Sequence, residues 1–357
     1  MPVYKDNNRG TWYCKFYYDD WTGKKKQKKK EGFKTQRAAK EYEWEFIRKS
    51  KSDCSMLFSS LIDLYFEDCS SRLKPTTMDN KKYIINLKIL PYFKDMPLNT
   101  IDAACIRKWQ NKLIAYKDSN GKPYSQTYLK TVNNQLSAIF NFARKYYKLP
   151  VNPVVVCGSI GKGHAESMQF WTLDEFKQFI PAVSDKPLST TTFNLLFWTG
   201  MRSGELLALT LNDFDFEDKT VRINKNYTRL NGEDLILSPK TPKSNRIITL
   251  PGFVCDLVQD YVTHLYDYRP NERLFNVTKF YLDHEMRRGC KKSGVKHIRV
   301  HDLRHSHASL LIEQGFPPLL ISERLGHEKI ETTLQTYSHL YPNKHSLVAD
   351  KLEELNK

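Results

Sequence analysis

The period at which apolar residues recur changes twice along this chain, and no single element can carry two periods. From Thr11 to Phe33 the period is two: Trp12, Cys14, Phe16 and Tyr18 alternate with Tyr13, Lys15 and Tyr17. That alternation predicts two strands joined by a turn at Asp20 to Gly23. A helix follows from about Thr35 to Ser50, N-capped by Thr35 and apolar at Ala38, Ala39, Tyr42, Phe46 and Ile47. Between about Ser55 and Asn152 the period becomes helical. Leu57, Leu61, Ile62, Leu64 and Tyr65 mark one helix, Thr76 to Ile89 a second with Pro75 just before it, Ala103 to Ala115 a third and Ser125 to Tyr147 a fourth. Leu90-Pro91, Met96-Pro97 and Ser119-Asn120-Gly121 supply turn signals between them. Asn152-Pro153 and the glycine-containing stretch to about Glu166 read as a linker, the hinge that a two-domain clamp needs. A helix from Leu173 to Ile180, N-capped by Thr172, opens the last segment, in which Thr220 to Leu250 returns to strand alternation.

Charge narrows the partner. The chain carries a formal net charge of +16 over 357 residues, enough length for two or three domains, and the expected partner is a polyanion. Half of that excess lies in residues 1–52, around the lysine run Lys24 to Lys30. A lysine run can simply guard a sheet edge against aggregation. Interleaved with aromatics, it suits a nucleic-acid backbone better. No apolar run approaches the length of a membrane span and no signal-peptide pattern opens the sequence, so a cytoplasmic protein without a membrane partner is expected. Seven cysteines (Cys14, Cys54, Cys69, Cys105, Cys157, Cys255, Cys290) never fall in a Cys-x-x-Cys spacing. They read as reduced thiols, with neither a disulfide framework nor a metal site expected.

Three C-terminal stretches carry chemistry: TGMRSGELLALT (Thr199 to Thr210), HDLRHSHASLLIEQG (His301 to Gly315) and LGHEKIETTLQTYSHL (Leu325 to Leu340). A phosphoryl group in transfer spreads negative charge over its non-bridging oxygens, and planar, permanently charged donors answer that charge. Arg202 and Arg304 are the natural pair. A phenol is easier to deprotonate than a serine and remains a competent leaving group, which suits Tyr337 as nucleophile. His301 lies three residues before Arg304, on one face of a helix. His327 follows a Leu-Gly pair that would end one helix and begin another. His305 and His307 could suggest a metal, but at i and i+2 they do not share a helix face.

Together these boxes resemble those of the tyrosine recombinase (phage integrase) family, in the branch of temperate phages and conjugative transposons of Gram-positive bacteria. The resemblance spans roughly residues 165 to 340, and the layout extends it to nearly the whole chain. Tyr337 comes ten residues after His327, where some branches have nine; the following Ser-His-Leu is typical of the ten-residue branch and favours Tyr337 over Tyr341. The implied fold is multidomain and mainly α with small β-sheets. It comprises an arm-type DNA-binding domain over 1–52 with a three-stranded sheet plus helix, a helical, SAM-like core-binding domain over 53–153, a linker over 154–168, and a mixed α+β catalytic domain over 169–357.

The resemblance implies the site residues Arg202, Lys243, His301, Arg304, His327 and Tyr337. Lys243, with Lys240 in reserve, would protonate the departing 5′ oxygen, and Glu205 would buttress Arg202. The reaction implied is a transesterification through a 3′-phosphotyrosyl link and a Holliday junction, integrating and excising a mobile element, with neither ATP nor a divalent metal as cofactor. Its partners would be double-stranded DNA attachment sites, a homotetramer on that DNA, and an excisionase or host DNA-bending protein. The tail after Tyr341, apolar at Leu347, Val348, Leu352 and Leu355, would pack on a neighbouring protomer or fold back on its own domain. Two alternatives stay open: a type IB topoisomerase-like enzyme and a non-enzymatic DNA-binding regulator of the same fold.

Overall fold

The computed structural model describes residues 3–6, 10–19, 25–50, 56–163, 168–239 and 241–338. It divides into two compact units, Met1–Glu166 and Ser167–Lys357.

In the first unit, strands β1 (Val3–Asp6), β2 (Thr11–Asp19) and β3 (Lys25–Phe33) form an antiparallel sheet in that order, followed by helix α1 (Gln36–Ser50). Alternation does its work here: Cys14 and Phe16 are buried while Lys15 and Tyr17 are exposed. The Phe46 ring of α1 lies 5.3 Å from that of Phe16 and 4.9 Å from that of Tyr18. The Thr35 hydroxyl accepts from the Ala38 amide at 3.1 Å, the N-cap the sequence predicts. Within the lysine run, the Lys28 ammonium sits 4.0 Å from the Phe46 ring centroid, so its stem covers apolar surface. The turn expected at Asp20 to Gly23 lies outside the described residues.

Residues 56–163 of the same unit are mainly helical: α2 (Phe58–Ser70), α3 (Pro75–Ile84), α4 (Leu90–Phe93), α5 (Ala103–Ala115), α6 (Gln126–Tyr146) and α7 (Pro153–Cys157). Phe58, Leu61, Ile89, Phe93, Trp109, Leu136 and Phe140 are buried in one core. Asp102 and Ser125 cap α5 and α6 through their side chains. Two expectations are corrected. Leu90-Pro91 does not break the chain into a turn: a π-helical stretch at Ile85–Ile89 joins α3 to α4, and the widened turn accommodates the missing proline N–H. The linker expected over 154–168 is not free over its first part. Asn152 caps α7, Val154 and Ile160 are buried in the helical core, and a Cβ on Gly161 would lie 2.1 Å from the Gln126 carbonyl. Residues 164–167 lie outside the description.

The second unit runs through α8 (Leu173–Phe179), α9 (Pro187–Thr199), α10 (Ser203–Leu206), β4 (Phe214–Asp215), β5 (Thr220–Ile223), β6 (Asn226–Leu230), β7 (Glu233–Leu237), β8 (Arg246–Thr249), α11 (Gly252–Thr263), α12 (Lys279–Ser293), α13 (Asp302–Glu313), α14 (Pro318–Leu325) and α15 (Ile330–Tyr337). Thr172 and Glu175 form a reciprocal capping box on α8. The Thr220 to Leu250 alternation resolves into four strands in two sheets, β4-β5-β8 and the hairpin β6-β7. Asn231 and Gly232, both at positive φ, form the hairpin turn. No described helix is long and apolar enough to cross a membrane. Six cysteines are free thiols, and Cys54 and the tail beyond Ser338 lie outside the description.

Candidate active site

The site is assembled from the ends of α9, α13, α14 and α15 and the start of β8. Gly200 ends α9 in the left-handed region at φ +66°, where a Cβ would lie 2.7 Å from both His307 and Leu325. The freed turn points the Gly200 carbonyl at Arg304, whose Nη1 donates to it at 2.8 Å while Nη2 donates to the Leu325 carbonyl at 2.7 Å. Arg304 is 3% exposed. Burial, and then the charge of Arg202, pushes its pKa down to about 9, which leaves the guanidinium charged at neutral pH.

Arg202 is the residue before α10. That helix is a single four-residue turn, and the Arg202 amide donates to Glu205 Oε2 at 2.9 Å. Glu205 is the hub. Its Oε1 accepts from Arg202 Nη1 at 2.7 Å and its Oε2 from Arg246 Nη2 at 2.9 Å. Burial would raise this carboxyl, but Arg246 and Arg202 together hold it below the usual carboxylate range. Asp213 pairs with Lys225 at 2.7 Å. Arg246 is not among the residues that the sequence singled out. Its Nε donates to the Arg324 carbonyl at 2.8 Å and its side chain is 7% exposed.

Tyr337 ends α15 and its side chain is buried beside Ala308, Ile312, Ile321 and Leu325. Burial pushes the phenol up to about 12, against the pull of the Arg304 charge. Its hydroxyl lies 2.7 Å from His305 Nδ1. His301, the residue before α13, opens to solvent and its ring meets that of His305 edge to face with centroids 5.4 Å apart. The protein packed behind it, and then Arg304, lowers its pKa. Gly326, at φ +69°, separates α14 from His327. His327 Nδ1 lies 2.8 Å from the buried Thr333 hydroxyl; in the tautomer that lets Thr333 donate, the Nε2–H is left as a donor. Burial, then Arg304, Arg202 and Arg246, pushes His327 down to about 3, so it is neutral.

The structure thus brings Arg202, His301, Arg304, His327 and Tyr337 into one electrostatic neighbourhood. Lys243 is exposed on the 3-10 turn before β8, and its carbonyl would lie 3.0 Å from a Cβ on Gly326. Its backbone therefore borders the loop that carries His327. Lys240 lies outside the described residues.

The two histidines set aside in the sequence have separate partners. His305 meets Tyr337; His307, 2% exposed, accepts from Arg324 Nε at 3.1 Å through Nε2. Burial, then Arg324, pushes His307 down to about 3. Its folded pKa is depressed, so its contribution to stability is fully present above the unfolded value near 6.5 and is lost as pH falls toward 3. Between pH 6.5 and 4 the slope from this residue alone is about 1.4 kcal/mol per pH unit. Thermal melts of the chain and of His307→Gln across that range should show a flatter acid limb in the variant; parallel limbs would reject the assignment.

Residues 169–344 match the phage integrase family, residues 57–114 the phage integrase N-terminal SAM-like domain and residues 2–50 an arm DNA-binding domain. The chain is 32% identical over 339 residues to the ICEBs1 integrase of Bacillus subtilis (strain 168), covering 88% of this chain and 87% of that one. The chain belongs to the phage integrase family of tyrosine recombinases. A tyrosine recombinase XerC-like protein of Caldanaerobacter subterraneus is 26% identical to the recombinase over 297 residues, 73% of each chain. Among solved structures, the recombinase superposes on the integrase of transposon Tn1549 in complex with a circular intermediate DNA with a TM-score of 0.71. The two share 18% identity, covering 84% of this chain and all of that one. A lambda integrase dimer bound to a core site gives 0.59 at 19% identity, covering 79% and 95%. The Tyr337 hydroxyl of the recombinase lies against His305 and within reach of the Arg304 charge.

Proposed function

We propose that this site-specific tyrosine recombinase integrates and excises a mobile element by cutting and rejoining DNA through a 3′-phosphotyrosyl link on Tyr337. The observation that supports the residue assignment is the burial of Tyr337 within reach of the Arg304 charge, which also acts, together with Arg202, on His301 and His327. Arg202 and Arg304 would neutralise the non-bridging oxygens of the scissile phosphate; both are already oriented, by Glu205 and by two backbone carbonyls, so little reorganisation accompanies charge development. His327 would donate Nε2–H to one of those oxygens, and His301 would close the exposed side. The link conserves the ester's energy, so neither ATP nor a divalent metal is required.

The substrate would be double-stranded DNA attachment sites, held by the basic sheet of residues 1–52, the helical segment 53–153 and the catalytic segment 169–357. A lambda integrase tetramer bound to a Holliday junction shares the fold at a TM-score of 0.57, which supports a homotetramer on DNA. An excisionase or a host DNA-bending protein would set direction, and the reaction would be cytoplasmic. The test is incubation of the recombinase with a nicked suicide attachment-site duplex in EDTA, followed by denaturing electrophoresis. A protein band shifted by covalent DNA is expected. Binding without that band would leave a DNA-binding regulator; an adduct without joining of two sites would leave a topoisomerase-like activity.

The general acid can be tested separately. A sulfur in the 5′-bridging position leaves without protonation, so Lys243→Ala should cut ordinary DNA roughly 10²–10⁴ times slower and recover on the sulfur substrate. If Lys240→Ala shows that pattern and Lys243→Ala does not, the role passes to Lys240.

A further inference from the structure

Esterification of the Tyr337 oxygen requires its proton to go somewhere, and among the described residues none of the side chains assigned so far is in hydrogen-bond contact with that oxygen. Guanidinium groups carry donors only. His327 Nδ1 is engaged by Thr333. Among the described residues, the side chain in hydrogen-bond contact with the Tyr337 hydroxyl is His305, through Nδ1 at 2.7 Å.

We infer, on the reading of Tyr337 as nucleophile, that His305 accepts the phenolic proton through Nδ1 during strand cleavage and returns it during rejoining. His305 stands one helical turn after His301 on α13, so both rings face the same side, and α15 delivers Tyr337 against the second ring. To accept, the ring must be neutral with its proton on Nε2. Burial, then the neighbouring His301, pushes His305 down to about 4, with Arg304 and Arg299 acting in the same direction and Asp302 against it. The imidazole is neutral at pH 7 and its Nδ1 lone pair is available.

So weak a base does not ionise a phenol held near 12 before attack. It does not need to. As the Oη–P bond forms, the bridging oxygen loses electron density and its proton becomes far more acidic than an imidazolium, so the transfer follows bond formation. In cleavage the Oη–H and P–O5′ bonds break, the Oη–P bond forms, the phenolic proton moves to His305 and the departing O5′ takes a proton from the lysine. In rejoining, a 5′ hydroxyl attacks phosphorus and surrenders its proton to that lysine. The P–Oη bond breaks and the phenolate recovers its proton from His305. The scissile phosphate's own charge favours the transient imidazolium.

The test is single-turnover cleavage of the suicide duplex by His305→Ala and His305→Asn. An asparagine Oδ1 falls near the position of Nδ1 and can orient the tyrosine, but it cannot carry the proton. Both variants should bind DNA as the unmodified chain does and cut roughly 10²-fold or more slowly. The 5′-bridging sulfur should rescue neither, because the defect lies on the nucleophile's side. Wild-type cutting rates in His305→Asn, or recovery of either variant by the sulfur substrate, would overturn the inference. A second reading needs no variant: on the sulfur substrate the leaving group takes no proton, so any residual slowing of the unmodified chain in D₂O reports the phenolic proton. Slowing is expected, and its absence also overturns the inference. If the unmodified chain forms no adduct, the nucleophile reading itself fails; if it does and His305→Asn matches it, only the role of His305 fails.

Discussion

Tyr337→Phe is expected to form no covalent adduct with an attachment-site duplex while binding it as tightly as the unmodified chain. The phenol oxygen is the atom to be esterified, so its removal deletes the reaction rather than slowing it. The fold should survive. The ring is buried and phenylalanine keeps its volume, and the substitution removes one hydrogen bond, to His305, worth about 0.5–1.5 kcal/mol. Gel shift, denaturing electrophoresis and a thermal melt on the same preparation check the three parts. A residual adduct in Tyr337→Phe would transfer the nucleophile to another residue, with Tyr341 the first to examine.

Glu205→Ala is expected to have the largest effect on stability. The carboxylate is 3% exposed and compensates Arg246, also buried, and Arg202, about one-third exposed. Removing one member of a buried ionic cluster leaves its partners' charge unpaired, a loss of about 3–5 kcal/mol. For a unit of this size that corresponds to roughly 2–4 °C in melting temperature per kcal/mol. Cleavage should also collapse, because Arg202 would lose the contact that aims it. Glu205→Gln keeps the shape and part of the hydrogen bonding and should lie between the two. Calorimetry with the adduct assay checks the pair; a Glu205→Ala protein that melts and cuts like the unmodified chain would remove Glu205 from the site.

Much of the frame was legible in the residues themselves. Ala103–Ala115 and Gln126–Tyr146 appear where periodicity and the caps Asp102 and Ser125 place them, because a buried stripe and a satisfied N-terminal amide are both local requirements. The alternation of Cys14 and Phe16 with Lys15 and Tyr17 fixed which sheet face is covered. Local rules misread Leu90-Pro91, where packing of Ile85, Ile89 and Phe93 in one core sustains the helix across the proline. They also misread the stretch after Asn152, whose Val154 and Ile160 found a core to enter. Arg246 and His305 escaped for another reason. Their importance lies in partners 41 and 32 residues away, and no local pattern distinguishes an arginine that meets Glu205 from one that meets solvent. A spacing of four between His301 and His305 was the available signal.

The sequence by itself determined the element types, the three C-terminal boxes and the chemistry their side chains can perform, since helical period, caps and functional-group identity are properties of neighbouring residues. Only the tertiary structure decided which of three clustered histidines faces the phenol, which carboxylate holds the arginines, and that His307 and His327 are neutral. Those outcomes depend on burial and on charges brought close by chain segments distant in sequence, and the energies involved arise only when water is excluded.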